Sequence, residues 1–134
     1  MLLARRQTLM LLGWLGSLPL LLQSTRALSG PEVAAARAAQ LRALIRHRSL
    51  ARAIGRSYRT QFPEEADATT LTHLLWLDLG LPDAPGPQTG AAGREQLLAA
   101  LDARVRAQFG AGQTVVMQGW LLARTEARLC ALCD

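Results

Sequence analysis

Three observations predict a mainly all-α chain, a small bundle of four to five helices with a short hairpin near its C-terminus. Apolar residues recur at three- and four-residue spacing over most of the chain beyond residue 30. Aromatic residues make up only 4% of the sequence while Ala and Leu abound, so a core has to be assembled from aliphatic helix faces. One stretch, Gln113 to Met117, is rich in β-branched residues and includes the Val115-Val116 pair.

The elements follow in order. Pro31-Glu32-Val33 suits a helix start, with Pro where its missing N–H costs nothing and an acid in the first turn. Ala34, Ala38, Leu41, Leu44 and Ile45 carry that helix to about His47. Ser49 is placed to cap a second helix with Leu50, Ile54 and Tyr58 inward, and Phe62-Pro63 ends it. The two apolar stripes fall out of phase on one straight helix, which puts a break near Arg48-Ser49. Asp67 caps the next element, where Leu71, Leu74, Leu75, Trp76, Leu77 and Leu79 leave so little polar surface that burial on several sides is expected. Gly80 to Gly93, with Pro82, Pro85, Pro87, Gly86 and Gly90, reads as a surface loop suited to partner contact. Arg94 to Phe109 is the cleanest amphipathic pattern, with Leu97, Leu98, Leu101, Val105 and Phe109 on one face, Asp102 and Arg106 spaced for an ion pair, and Gly110 closing it. Gln118-Gly119 can turn Gln113–Met117 into Trp120-Leu121-Leu122 as a hairpin that has to lie on the helices, since two strands are marginal alone. Arg124 to Leu132 returns to helical spacing, with Leu129 and Leu132 expected inward and Arg124 and Arg128 outward.

Residues 1–27 have a different character. Arg5-Arg6 precede an apolar run from Leu9 to Leu22, and small residues follow up to Ala27. A basic start, a short apolar stretch and a small residue before the cut define an export signal. The run falls short of the roughly 20 residues that span a bilayer, and Gly13, Gly16 and Pro19 interrupt it. The adjacent arginines, within Ala4-Arg5-Arg6-Gln7-Thr8-Leu9-Met10, resemble the twin-arginine consensus, although Thr8 stands where an apolar residue is usual. Arg5 and Arg6 are thus the expected translocase recognition residues and Ala27 the expected cleavage position, with Ser29 as the alternative. A single helical domain follows over 28–134, destined for the periplasm, or held at the membrane if the signal is retained. Removing 1–27 takes three of the fifteen basic residues and none of the ten acids, which lowers the formal charge from +5 to +2. Every basic residue is Arg, a composition bias rather than a nucleic-acid signature, and no nucleic-acid partner is expected.

Few groups in the domain carry chemistry. Arg37, Arg42, Arg46, Arg48, Arg52, Arg56 and Arg59 fall in a window with no acid between Glu32 and Glu64. That makes a positive surface suited either to plain solvation or to an acidic partner or anionic lipid headgroups. Cys130 and Cys133 form a C-x-x-C, but at the end of a helix and not at its start after a strand, so the dipole that activates thioredoxin-like thiols is missing. A disulfide, a pair of packed thiols and, less readily, metal binding are compatible with it. His47 and His73 each lack a neighbouring ligand, and His73 and Asp78 are five apart, on different helix faces. No glycine-rich phosphate loop, no flavin or nicotinamide fingerprint and no catalytic constellation is present, so no catalytic residue, metal ligand or cofactor of its own is expected.

The segment from Gly119 to Leu132, with Gly119-Trp120, Thr125-Glu126-Ala127-Arg128 and Cys130-Ala131-Leu132, resembles the closing motif of a family of small twin-arginine-exported bacterial proteins. Ile54-Gly55, Tyr58 and Phe62-Pro63-Glu64-Glu65 are similar to the same family. The family's Ser before the last helix is Ala123 here, leaving its capping box incomplete: either Thr125 caps instead or the start is weakened by about 1 kcal/mol. Such proteins look like the small subunits that accompany periplasmic flavin dehydrogenases. The resemblance implies no catalytic residues. It points instead to an accessory subunit that binds a larger redox enzyme and is exported with it. Trp76, Trp120, Arg48, Arg52, Arg56 and Arg59 are then the candidate contact residues, aromatic and Arg side chains being those that dominate binding energy. The alternative is a periplasmic thiol, disulfide or metal-binding protein using Cys130 and Cys133.

Overall fold

The computed structural model describes residues 30–82 and 90–134. The twin-arginine segment, including Arg5, Arg6 and Ala27, and most of the proline-rich loop lie outside the described residues. Within the described residues, five α-helices, one 3₁₀ turn and one hairpin run in the order α1 Gly30–Arg42, α2 Arg48–Gln61, the 3₁₀ turn Pro63–Glu65, α3 Ala68–Asp78, α4 Ala91–Gly110, β1 Thr114–Met117, β2 Trp120–Ala123 and α5 Arg124–Ala131. Among the described residues, no helix is long and apolar enough to cross a membrane.

α5 is the element around which the others gather: α2, α3, α4 and both strands pack on it, while α1 packs on α3. Ala127, Ala131 and Leu132 are fully enclosed, together with Tyr58, Leu41, Leu71 and Leu75. The approach of α2 is closest at Gly55. A Cβ built there would stand 2.5 Å from the Cys130 carbonyl oxygen and 2.9 Å from the Ala131 Cα, so only a hydrogen fits between the two backbones.

Several boundaries match the sequence expectations. Asp67 caps α3, its carboxylate accepting from the Thr70 N–H at 2.9 Å. Phe62 and Pro63 end α2. The hairpin turns at Gln118 (φ 51°) and Gly119 (φ 78°), the pair of positive φ values that lets a two-residue turn follow the right-handed strand twist. Its register sets Val116 opposite Leu121 and Met117 opposite Trp120. The Gln118 side-chain amide donates to Ser57 Oγ at 2.5 Å and ties the turn to α2.

Others differ. α1 ends at Arg42 and not near His47: the Leu44 N–H reaches back only three residues, to Leu41, and the tightened turn delivers Leu44 into the core before α2 departs in a new direction. His47, not Ser49, occupies the N-cap position of α2 and makes no side-chain cap bond. α3 is not buried all round, because Leu77 is 57% exposed and His73 also faces solvent. α4 begins at Ala91, three residues earlier than Arg94. Of its expected inner face, Leu97 is buried while Leu98 and Phe109 are exposed, and the polar Gln108 is enclosed in their stead.

Candidate functional site

Among the described residues, a connected cluster of polar side chains lies where the start of α5 meets α2, the 3₁₀ turn, the end of α3 and the middle of α4. Its first member follows from Phe62-Pro63. Pro63 stops α2, and the single 3₁₀ turn rolls Glu65 inward until it is 9% exposed. One Glu65 oxygen accepts from the Tyr58 hydroxyl at 2.5 Å and Arg128 Nε at 2.8 Å. The other accepts from Arg128 Nη2 at 2.8 Å and Arg124 Nη2 at 2.9 Å. Arg128 and Glu65 therefore meet as parallel forks, the strongest geometry available to this pair of groups.

The third nitrogen of Arg128, Nη1, donates to Asp78 Oδ2 at 2.7 Å, and the Thr125 hydroxyl donates to the same oxygen at 3.2 Å. Arg128 is thus spent on two carboxylates and its side chain is 11% exposed. The sequence reading, which turned Arg128 outward, is corrected here: at helical spacing it does sit beside Arg124, but the face they share looks onto Glu65 and Asp78 instead of water. Arg124 is half-buried, its guanidinium 4.8 Å from the centroid of Phe62, which in turn packs against Tyr58 with ring centroids 4.7 Å apart.

The same cluster starts α5. The Ala123 N–H donates to the Glu126 carboxylate at 2.9 Å, so the half of the capping box that Glu supplies is present, and the half that a Ser would supply is absent because Ala123 has no acceptor. The donors of the first turn that have no partner within the helix find other acceptors. The Gln113 carbonyl takes the Arg124 N–H at 3.1 Å, and the carbonyl of the Gln108 side chain, reaching across from α4, takes the Thr125 N–H at 2.9 Å. Gln108 is the missing cap. That explains why a Gln is buried on α4 next to an exposed Phe109. Gln108 was missed by sequence reasoning, its available signal being a polar residue at an otherwise apolar helical position, and Glu65 entered only through the family resemblance and without its role.

The electrostatics describe a locked set of charges. The Arg128 fork, with the Tyr58 and Arg124 hydrogen bonds, holds the Glu65 carboxyl well below the ordinary carboxylate range, at about 2, against the opposing effect of burial. Arg128 is pushed above the usual arginine range by the same hydrogen bonds to Glu65, and then by those to Asp78. Burial and the hydrogen bond to Glu65 raise the Tyr58 hydroxyl. A general acid or base works best with a pKa near the working pH. Glu65 and Tyr58 are both moved away from neutrality, so the cluster is suited to fixing charge in place and not to moving protons. Two of its atoms are left over: Arg104 Nε and Arg124 Nε lie beneath the surface without an acceptor among the described residues. An unmet buried N–H of this kind costs about 1–3 kcal/mol.

The sequence-selected residues fall elsewhere and do not form one site. Trp76 is 4% exposed in the core, its indole N–H donating to the Pro82 carbonyl at 3.2 Å and the Arg37 guanidinium 4.6 Å over its ring. It is a packing residue and offers no surface for contact, because α1 covers α3 there. Arg59 is half-buried and donates from Nε to the Ala131 carbonyl at 3.0 Å, while Arg42 donates to the Leu132 carbonyl at 2.7 Å. These two arginines satisfy the open carbonyls at the end of α5 and sit at the negative end of its dipole. Arg48, Arg52 and Arg56 remain exposed along one stripe of α2, with Arg56 3.6 Å from Asp134. Trp120, at 57% exposure, stands on the hairpin with Leu121 at 57% and Val116 at 62%.

Cys130 and Cys133 are unbonded thiols. α5 ends at Ala131, so Cys133 lies in the turn beyond it. Burial pushes the Cys130 thiol up to about 12 and raises Cys133 as well, although Arg42, Arg48 and Arg52 pull the latter back. Reactive thiols are displaced in the opposite direction. Among the described residues, no group of three His, Cys, Asp or Glu side chains is arranged to hold a metal ion.

No family model, curated relative or solved structure matches this chain.

Proposed function

We propose that this protein is an exported, non-catalytic accessory subunit that binds a larger periplasmic redox enzyme of the dehydrogenase type and is exported together with it. The observation that carries the reading is in the sequence: Arg5-Arg6 and the apolar run to Leu22 label a chain whose remaining residues include no cofactor fingerprint. The twin-arginine route takes folded cargo, so a subunit without its own cofactor gains from using it when it is bound to a partner that has one.

The fold supports this reading through the hairpin. Val116 and Leu121, opposite one another across the strands, leave apolar side chains exposed, as does Trp120 beside the turn, and the strands are fixed by Gln118 to α2 and by Ala123 and Arg124 to α5. Trp is among the residue types that carry most of the energy at binding hot spots. Arg48, Arg52 and Arg56 add a positive stripe for an acidic rim on the partner, or for anionic lipid headgroups at the membrane surface.

The test is recovery of the chain, tagged at its C-terminus, from the periplasm of its native host. A larger cofactor-bearing protein is expected to co-purify in fixed ratio, to be reduced by Trp120→Ala together with Leu121→Asp, and to be absent when Arg5 and Arg6 are both replaced by Lys. A monodisperse monomer, with no companion in the wild-type preparation, would remove the proposal.

A further inference from the structure

A cleft of about 420 Å³ opens at the outer edge of the Glu65–Arg128 cluster, where the ends of α3, α4 and α5 converge. Three guanidiniums line it, Arg104 from α4 with Arg124 and Arg128 from α5, and the lining carboxylate is Asp78. With Glu65 behind Arg124 and Arg128, three positive groups face two negative ones, and one positive charge is left over.

The surplus sits at Arg104. Its Nη2 lies 3.7 Å from Asp78 Oδ1, too long for a hydrogen bond, whereas Asp78 Oδ2 already receives Arg128 and Thr125. The Nε groups of Arg104 and Arg124 have no acceptor, yet both side chains keep 36% exposure, which belongs to their other atoms. Gln108 has turned its carbonyl to the Thr125 N–H, so its own NH2 is left to donate. Gln113, another lining residue, keeps its exposed side-chain amide. The lining is therefore rich in donors and poor in acceptors.

From this we propose that the cleft binds a small oxyanion, a carboxylate or phosphate group, held chiefly by Arg104 and Arg124 with amide donors from Gln108 and Gln113. A planar or tetrahedral oxyanion offsets the surplus positive charge and also matches the guanidinium fork, which chloride cannot. Glu65 and Asp78 hold Arg128 rigid at the floor, which pre-organises the site. Arg104 is the group that moves to close on the ligand.

The experiment follows the arginine Nε–H resonances of the full chain by NMR during titration with inorganic phosphate, succinate or chloride at constant ionic strength. Saturable shifts of the Arg104 and Arg124 signals are expected with phosphate or succinate and not with chloride, and the anion that saturates identifies the chemical source. Arg104→Ala is expected to weaken binding by about tenfold, the loss of one charge-assisted hydrogen bond. Arg104→Lys keeps the charge without the fork and is expected to weaken it by a smaller factor. Arg106→Ala, which removes an exposed arginine paired with Asp102 on the same helix, is expected to leave binding unchanged. Thermal melting of each variant reports its folding, and Arg104→Lys carries the test if Arg104→Ala does not fold. Equal shifts with chloride, equal loss in Arg106→Ala, or no saturation with either oxyanion would each overturn the proposal.

Discussion

α4 and α5 are opposites in sequence and in structure. α4 runs for 20 residues with the most regular apolar pattern in the chain, yet it encloses only Gly93, Leu97 and Gln108. α5 has eight residues and an incomplete cap, and it encloses Thr125, Ala127, Leu129 and Ala131. A helix of eight residues is far below the length at which isolated helices persist in water. α5 exists because other elements finish it: Gln108 and Gln113 take its first N–H groups, Arg42 and Arg59 take its last carbonyls, and Arg128 anchors its middle to Glu65 and Asp78. The longer helix relies on its own backbone. The shorter one relies on side chains brought from up to 90 residues away.

That contrast can be broken at α5 and left intact at α4. The largest expected effect is Arg128→Leu, which strands two buried carboxylates and is expected to lower unfolding free energy by about 4 kcal/mol in chemical denaturation. Replacing Glu65 and Asp78 by apolar residues in the same background is expected to recover part of that loss, since it is the uncompensated charge that costs most. Acid is the next probe. The Glu65 carboxyl sits at about 2 in the folded chain against an ordinary 4.5. Because the folded value is the lower one, the stability it confers is complete above pH of about 4.5 and disappears as pH falls through about 2, a loss of about 3 kcal/mol. Denaturant melts from pH 6 to 2 should show the slope, and Glu65→Gln should flatten it.

Gly55→Ala tests the opposite flank of α5. The three nearest atoms to the new methyl are all backbone, so the helices have to separate, at a cost of about 2–3 kcal/mol. Smaller again is Gln108→Leu, which removes the cap of Thr125 while adding apolar volume on α4, with an expected loss of about 1 kcal/mol. If it instead stabilises the protein, Gln108 is not what starts α5. The smallest effect belongs to α4's own pair: Asp102→Ala breaks an exposed contact to Arg106 and is expected to change stability by about 0.5 kcal/mol or less.

Local features were legible in the sequence where the residues that decide them are neighbours. Asp67 caps α3 through Thr70, three residues on. Gln118-Gly119 turns a hairpin because both residues tolerate positive φ, and Phe62-Pro63 stops α2 because Pro offers no N–H. The tail motif drew attention to Thr125, Glu126, Ala127 and Arg128, but their roles could not be read from it. Each partner of Arg128 is at least 50 residues away, and a helical projection cannot distinguish an arginine facing water from one facing carboxylates. Trp76 shows the same limit in reverse, a residue type common at interfaces that α1 has covered.

By itself the sequence determined the helical class, the hairpin and the order of elements, all set by periodicity, turn chemistry and short-range composition. The tertiary structure alone decided where α1 stops, which way Arg128 points, why Gln108 is buried and why Gly55 cannot carry a side chain. Those outcomes depend on charge pairing and steric exclusion between segments that meet only when the chain is folded, and no local pattern encodes the identity of a distant neighbour.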